Sequence, residues 1–76
     1  MQELVLGGLY RHYKNKMYRV ISVARHSETQ EELVYYEALY HNDLGKFWVR
    51  PLKMFLENVE TAGYRGPRFA LVADEA

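Results

Sequence analysis

A chain of 76 residues, 49% hydrophobic and 26% charged, has room for one small domain and is too apolar to stay disordered. No apolar run approaches the ~20 residues of a membrane-spanning helix. The absence of cysteine excludes disulfide staples, thiolate zinc sites and thiol nucleophiles, so packing must hold the core.

The zero net charge is unevenly spread. Residues 1–26 carry five Lys or Arg against Glu3, and residues 27–46 carry five carboxylates against Lys46. Antiparallel neighbours would lay these segments side by side, and cross-strand pairs worth roughly 0.2–1 kcal/mol each are their simplest use. The expectation is charge pairing rather than the basic patch of a nucleic-acid binder. The opening six residues have neither the basic start nor the apolar length of a secretory signal, so a cytoplasmic setting is expected.

In chain order, Gly7 and Gly8 interrupt an apolar start, and residues 9–13 alternate large and polar side chains as a strand does. Lys14, Asn15 and Lys16 form a tight turn in which Asn15 takes a positive φ. Residues 17–25 are the second strand. Neither of its alternating faces is purely polar, which points to a curled sheet covered in part on both sides. Residues 26–31 are rich in hydroxyls and carboxylates that bond their own backbone, as in a hairpin loop. A helix starting at Ser27 competes with that reading, but the β-branched and aromatic content of residues 33–41 favours a third strand. A turn at Asn42, Asp43, Leu44 and Gly45 leads to a fourth strand over 46–50. Pro51 ends it and opens a helical turn whose Leu52, Phe55 and Leu56 plug one end of the fold. Residues 57–59 run extended into a loop over 61–67, residues 68–72 give a last strand, and 74–76 fray. The predicted fold is mostly β: a small antiparallel five-stranded SH3-like barrel with one short helical turn, an OB-like barrel being the runner-up. It occupies residues 1–76 as one domain, with its core at about 7–72.

Tyr10-Arg11-His12-Tyr13-Lys14, Tyr18-Arg19-Val20 and Ala24-Arg25-His26-Ser27-Glu28-Thr29 carry a further signal. So do Glu31-Glu32-Leu33-Val34, Tyr36, Ala38-Leu39-Tyr40, Trp48-Val49-Arg50-Pro51-Leu52, Met54-Phe55, Glu57 and Pro67-Arg68-Phe69. Together these residues resemble a bacterial family of small proteins known only as domain of unknown function 1653, over roughly residues 8 to 69. Asn15 stands where a glycine is expected, and Asn also tolerates a positive φ. The resemblance implies a compact, mostly β single domain and adds no catalytic residue.

His12, His26 and His41 are the residues that could ligate a metal or act as a base. Their spacing requires neither, so no metal site and no cofactor is expected. His26, Ser27 and Glu28 have the residue types of a hydrolytic triad, but neighbours on an extended chain point to opposite sides, and no Gly-x-Ser-x-Gly elbow or phosphate loop is present. Trp48, Tyr36, Tyr40 and Tyr10 suggest a stacking platform, with Arg50, Arg25 and Arg11 supplying charge. A barrel this small uses large side chains to fill itself, and about half of these rings belong to the core on that ground. The remaining apolar stock suffices for an interior, which leaves rings over for a surface.

The leading expectation is therefore a non-catalytic binding module with Arg11, His12, Tyr13, Arg25, His26, Trp48 and Arg50 as contacts. Its partner is a protein or peptide first and a single-stranded nucleic acid second, without a membrane. The rival is a small hydrolase or nucleotide-processing enzyme using His12 or His26. A third reading is a homodimer made through the apolar segment Leu4-Val5-Leu6.

Overall fold

Alternation of large side chains builds most of the molecule. The computed structural model describes residues 3–74. Glu75 and Ala76, part of the tail expected to fray, lie outside the described residues. The strands are β1 (Leu9–His12), β2 (Met17–Arg25), β3 (Glu32–Ala38) and β4 (Phe47–Pro51), followed by the helical turn α1 (Leu52–Leu56), then β5 (Asn58–Thr61), β6 (Tyr64–Pro67) and β7 (Phe69–Ala73). Five of them form one antiparallel sheet in the order β4-β3-β2-β1-β7, and β5 and β6 pair by themselves. No helix among the described residues is long and apolar enough to cross a membrane.

The turns follow from local chemistry. Asn15 adopts φ 68° between β1 and β2, where its N–H donates to the His12 carbonyl at 2.7 Å. Between β2 and β3 no helix forms. The His26 N–H donates to the Glu31 carbonyl at 2.8 Å, and the His26 ring accepts the backbone N–H groups of Glu28 and Thr29 at 3.1 and 3.3 Å. The stretch expected to loop over 61–67 instead folds as the β5–β6 hairpin, because Gly63 supplies the φ of 92° that reverses the chain between Thr61 and Tyr64.

Register explains the mixed faces of β2. Tyr18 pairs with Ala38 and Val20 with Tyr36, then the ladder shifts so that Ser22 pairs with Tyr35 and Val23 with Val34. Ile21 is thus an extra residue in a bulge. Beyond it the alternation inverts, and Val23 rather than Ser22 shares the inner face with Val34. The same register sets Arg19 beside Glu37 and Arg25 beside Glu32, as the opposed charge segments suggested. The side chains use other partners: Arg19 donates to the Gly7 carbonyl, Arg25 to the Gln30 carbonyl, and Glu37 pairs with Lys46 at 3.0 Å.

Tyr10, Val20, Val34, Tyr36, Phe55 and Phe69 form the buried core, with Leu4, Tyr18, Trp48, Leu52 and Leu56 packed against it. Phe55, carried by α1, lies flat on Phe69 with centroids 4.0 Å apart and takes the edges of Tyr10 and Tyr36 at 5.3 and 5.4 Å. This is the plug expected of the helical turn.

The expected closed barrel is corrected to an open sheet. β4 and β7 are its two edges and do not pair. Pro51 ends β4 without an N–H to donate to a ladder, and the Phe55 ring packs on Tyr36 of β3 and Phe69 of β7. Curl still carries the edges toward each other: Cζ of Arg50 on β4 lies 5.5 Å from the ring centre of Phe69 on β7.

Candidate functional site

The inner face of the sheet has a covered part and an uncovered part. α1 packs against β3 and β4 and covers one region with Phe55. Beyond it Tyr18, Tyr36, Tyr40, Asn42, Trp48 and Arg50 line a cavity of 190 Å³. Strand alternation places them: Tyr18 comes from β2, Tyr36 and its cross-strand partner Trp48 from β3 and β4, and Arg50 opposite Val34.

Tyr18 is the hub of the ring packing. Its ring meets Tyr36, Tyr40 and Phe69 nearly edge-on at 5.3, 5.5 and 5.6 Å, and His12 at 6.4 Å. The Tyr18 and Tyr40 hydroxyls lie 2.6 Å apart. Burial, followed by this bond to Tyr40, raises the Tyr18 pKa, so the phenol stays protonated at any ordinary pH. Nε of Arg50 donates to the Tyr36 hydroxyl at 3.3 Å while the guanidinium sits over Phe69. Trp48 is half-buried, and its Nε1 is shut off from solvent without a hydrogen-bond partner among the described residues.

The surroundings are cationic. Lys16 holds its ammonium 5.0 Å from the Tyr40 ring centre. Arg68 reaches the Glu57 carboxylate at 3.3 Å, and its Nε is buried without a partner among the described residues. His12 records the local field: burial first, then Arg50, Arg68 and Lys14, lower its pKa to about 4. Its Nδ1 accepts the Lys14 N–H at 3.1 Å, which leaves the proton of the neutral ring on Nε2.

Of the residues singled out from sequence, Trp48, Arg50, Tyr36 and Tyr40 line this cavity, and His12 touches its wall through Tyr18. The others lie elsewhere. Arg11 is exposed on β1. Tyr13 stacks on Tyr64 at 5.6 Å and so ties the β1–β2 turn to the β5–β6 hairpin. Arg25 and His26 are bound up in the β2–β3 turn. Tyr10, proposed for the platform, is fully buried, and its hydroxyl accepts the Val5 N–H at 3.0 Å. Leu4, assigned to a self-pairing strand, packs on the core, and residues 4–6 form no strand. The histidines are dispersed, and no group of three metal-binding side chains occurs among the described residues.

Sequence reasoning left Tyr18, Asn42 and Arg68 out of the site. Tyr18 had a findable signal, since it shares alternation with Val20 on the most regular strand. Asn42 and Arg68 had none, because their positions depend on how the β3–β4 loop and the β6–β7 corner fold back.

Two other surfaces compete for attention. A hollow of 490 Å³ inside the β3–β4 loop adjoins the site at Tyr40 and Asn42, but it is lined by Glu37 and Lys46, which neutralise each other. On the outer face Tyr35 stacks on Phe47 at 5.8 Å beside the exposed Val49.

The family described as "Protein of unknown function (DUF1653)" matches residues 8–71. The chain belongs to that family. A crystal structure of a DUF1653 protein from Bordetella bronchiseptica is similar to it with a TM-score of 0.84 and 37% identity, covering 92% of this chain and 90% of that one. Among curated proteins none matches. The two proteins share one fold, and the family's description assigns no activity.

Proposed function

We propose that this DUF1653 protein is a non-catalytic binding module that captures one group of a peptide or protein partner in the cavity lined by Tyr18, Tyr36, Tyr40, Asn42, Trp48 and Arg50. The observation that carries the reading is Arg50 itself. It is half-buried among aromatic rings, is held by a tyrosine hydroxyl, and has no acidic partner among the described residues. An incoming anion would pair a half-buried guanidinium that has no counter-charge of its own. Arg, Trp and Tyr are also the residues that most often anchor partners.

Ring geometry favours a pocket over a strand-tracking platform. A single-stranded nucleic acid needs successive exposed ring faces along a basic groove. Here the rings turn edges into one another's faces and surround a single small cavity. Catalysis has less support, because the hydroxyls at the cavity are phenols, the His12 ring accepts the Lys14 N–H and is not among the lining residues, and the imidazole of His26 is occupied by its own turn.

The test is capture of partners from cell extract by tagged wild-type protein, Trp48→Ala and Arg50→Ala, each checked for folding by circular dichroism. The proposal expects bound proteins to be lost from both variants while the spectra are kept. Identical capture by all three folded proteins refutes it.

A further inference from the structure

We infer that the group this cavity takes is a carboxylate on a peptide, gripped by Arg50. The inference rests on the binding reading above and adds the ligand's chemistry.

Charge is the first argument. Six side chains line the cavity, and none is acidic, while Arg50 is the cation among them. Nε of Arg50 is held by the Tyr36 hydroxyl, whereas Nη1 and Nη2 have no hydrogen-bond or ion-pair partner among the described residues. A guanidinium fixed along one edge and seated over a ring offers its remaining N–H groups as a planar fork, the geometry that receives two carboxylate oxygens.

The phenol pair supplies a second donor. In the 2.6 Å contact between Tyr18 and Tyr40 one hydroxyl donates and the other accepts, so the acceptor's own proton is left for a third oxygen. Tyr18 is held in its protonated form and so brings no negative charge to repel an anion.

Size and valence select among anions. A cavity of 190 Å³ holds about six water-sized groups at ~30 Å³ each, enough for a carboxylate, its bearing carbon and a short side chain. One uncommitted guanidinium balances one negative charge, whereas a phosphate monoester carries about −1.5 to −2 and calls for a second cation. Of the other cations nearby, Arg68 is engaged by Glu57, and Lys16 lies over the Tyr40 ring and is not among the six lining residues. The carboxylate has two sources in a peptide, the chain terminus and an Asp or Glu side chain, and both offer the same two oxygens.

The chain has one tryptophan, and it lines the cavity, so Trp48 fluorescence reports occupancy directly. The unaltered protein is titrated at fixed salt with three pools of hexapeptides lacking Trp and Tyr, and with adenosine monophosphate. The first pool has a free C-terminal carboxylate, the second is capped as an amide, and the third is amide-capped with an internal Glu. The expected result is at least tenfold tighter binding of a carboxylate-bearing pool than of the capped pool without Glu. Preference for the first pool assigns the terminus, and preference for the third assigns the side chain. Arg50→Lys, which keeps the charge but not the fork, should weaken that binding about tenfold. Equal binding of all three pools that is lost in folded Arg50→Ala overturns the carboxylate but leaves the binding reading standing. A response to adenosine monophosphate alone overturns it in favour of phosphate. No change in Trp48 emission with any ligand removes both. The comparison of pools uses the unaltered chain and so does not depend on any variant folding.

Discussion

Phe55 is the side chain on which the inner face depends most, and its removal has a calculable cost. The ring is fully buried, stacked at 4.0 Å on Phe69, and contacted by the edges of Tyr10 and Tyr36. Truncating a buried Phe to Ala costs about 3–5 kcal/mol through lost transfer energy and the cavity left behind. Three aromatic contacts place Phe55→Ala at the upper end, about 4–5 kcal/mol. A domain of this size has a total stability of roughly 4–11 kcal/mol, so the variant should stand close to unfolding in buffer. With a urea dependence of about 1 kcal/mol per molar, the midpoint should fall by about 4 M, whereas Phe55→Leu should lower it by only about 1 M. Urea melts followed by circular dichroism measure both. A shift below about 1 M for Phe55→Ala would refute the view that α1 plugs the open sheet.

Other perturbations test separate joints of the structure. His12 titrates near 4 in the folded chain against 6.5 in its absence, so between those values the unfolded state binds a proton that the native ring does not. Stability should therefore fall as pH drops from 6.5 to 4 and be insensitive to this group above 7. The change should be on the order of 1–2 kcal/mol after allowing for solvent screening of a half-buried ring, and His12→Gln should remove that slope in pH-dependent melts. Gly8→Ala would set a methyl 2.9 Å from the Val5 carbonyl and 3.1 Å from the Tyr10 ring. A cost of about 1–3 kcal/mol is expected by denaturant melt, and a variant as stable as wild type would contradict the close approach. Tyr18→Phe and Tyr40→Phe each break the 2.6 Å bond at a cost of about 1 kcal/mol, and the double variant should lose little more than either single one. Strict additivity in that cycle would mean the hydroxyls do not interact in solution.

Local chemistry was readable where one residue decides the outcome. Asn15 marked the first turn, residues 17–25 the second strand, and Pro51 the switch from strand to helical turn, because each depends on backbone preferences of neighbours in the chain. Closure was not readable. Whether β4 meets β7 depends on how far the sheet curls, which has no local signature. The bulge at Ile21 was hidden for a related reason: an extra residue in a ladder shows only once its partner strand is fixed, and it reassigned every side chain from Ser22 onward. The candidate site shows the same division. Trp48 and Arg50 announced themselves by type, and Tyr36 and Tyr40 by their position on a strand face. Tyr13, Arg25 and His26 carried equally suggestive chemistry, yet that chemistry is taken up by a stacking contact and a turn. Tyr18 was read only as part of a strand face, although a half-buried ring at the centre of other rings forms the wall of a cavity as well as the floor of a core.

Nuclear magnetic resonance of the labelled protein, titrated with the free-carboxylate hexapeptide pool, addresses the central claim most directly. The account predicts that the largest shifts fall on the Trp48 indole N–H, the Arg50 Nε–H and the backbone amides of Tyr36, Tyr40 and Asn42, with Tyr35, Phe47 and Val49 on the outer face undisturbed. Shifts gathered on that outer strip, with the indole and guanidinium signals unmoved, would contradict it.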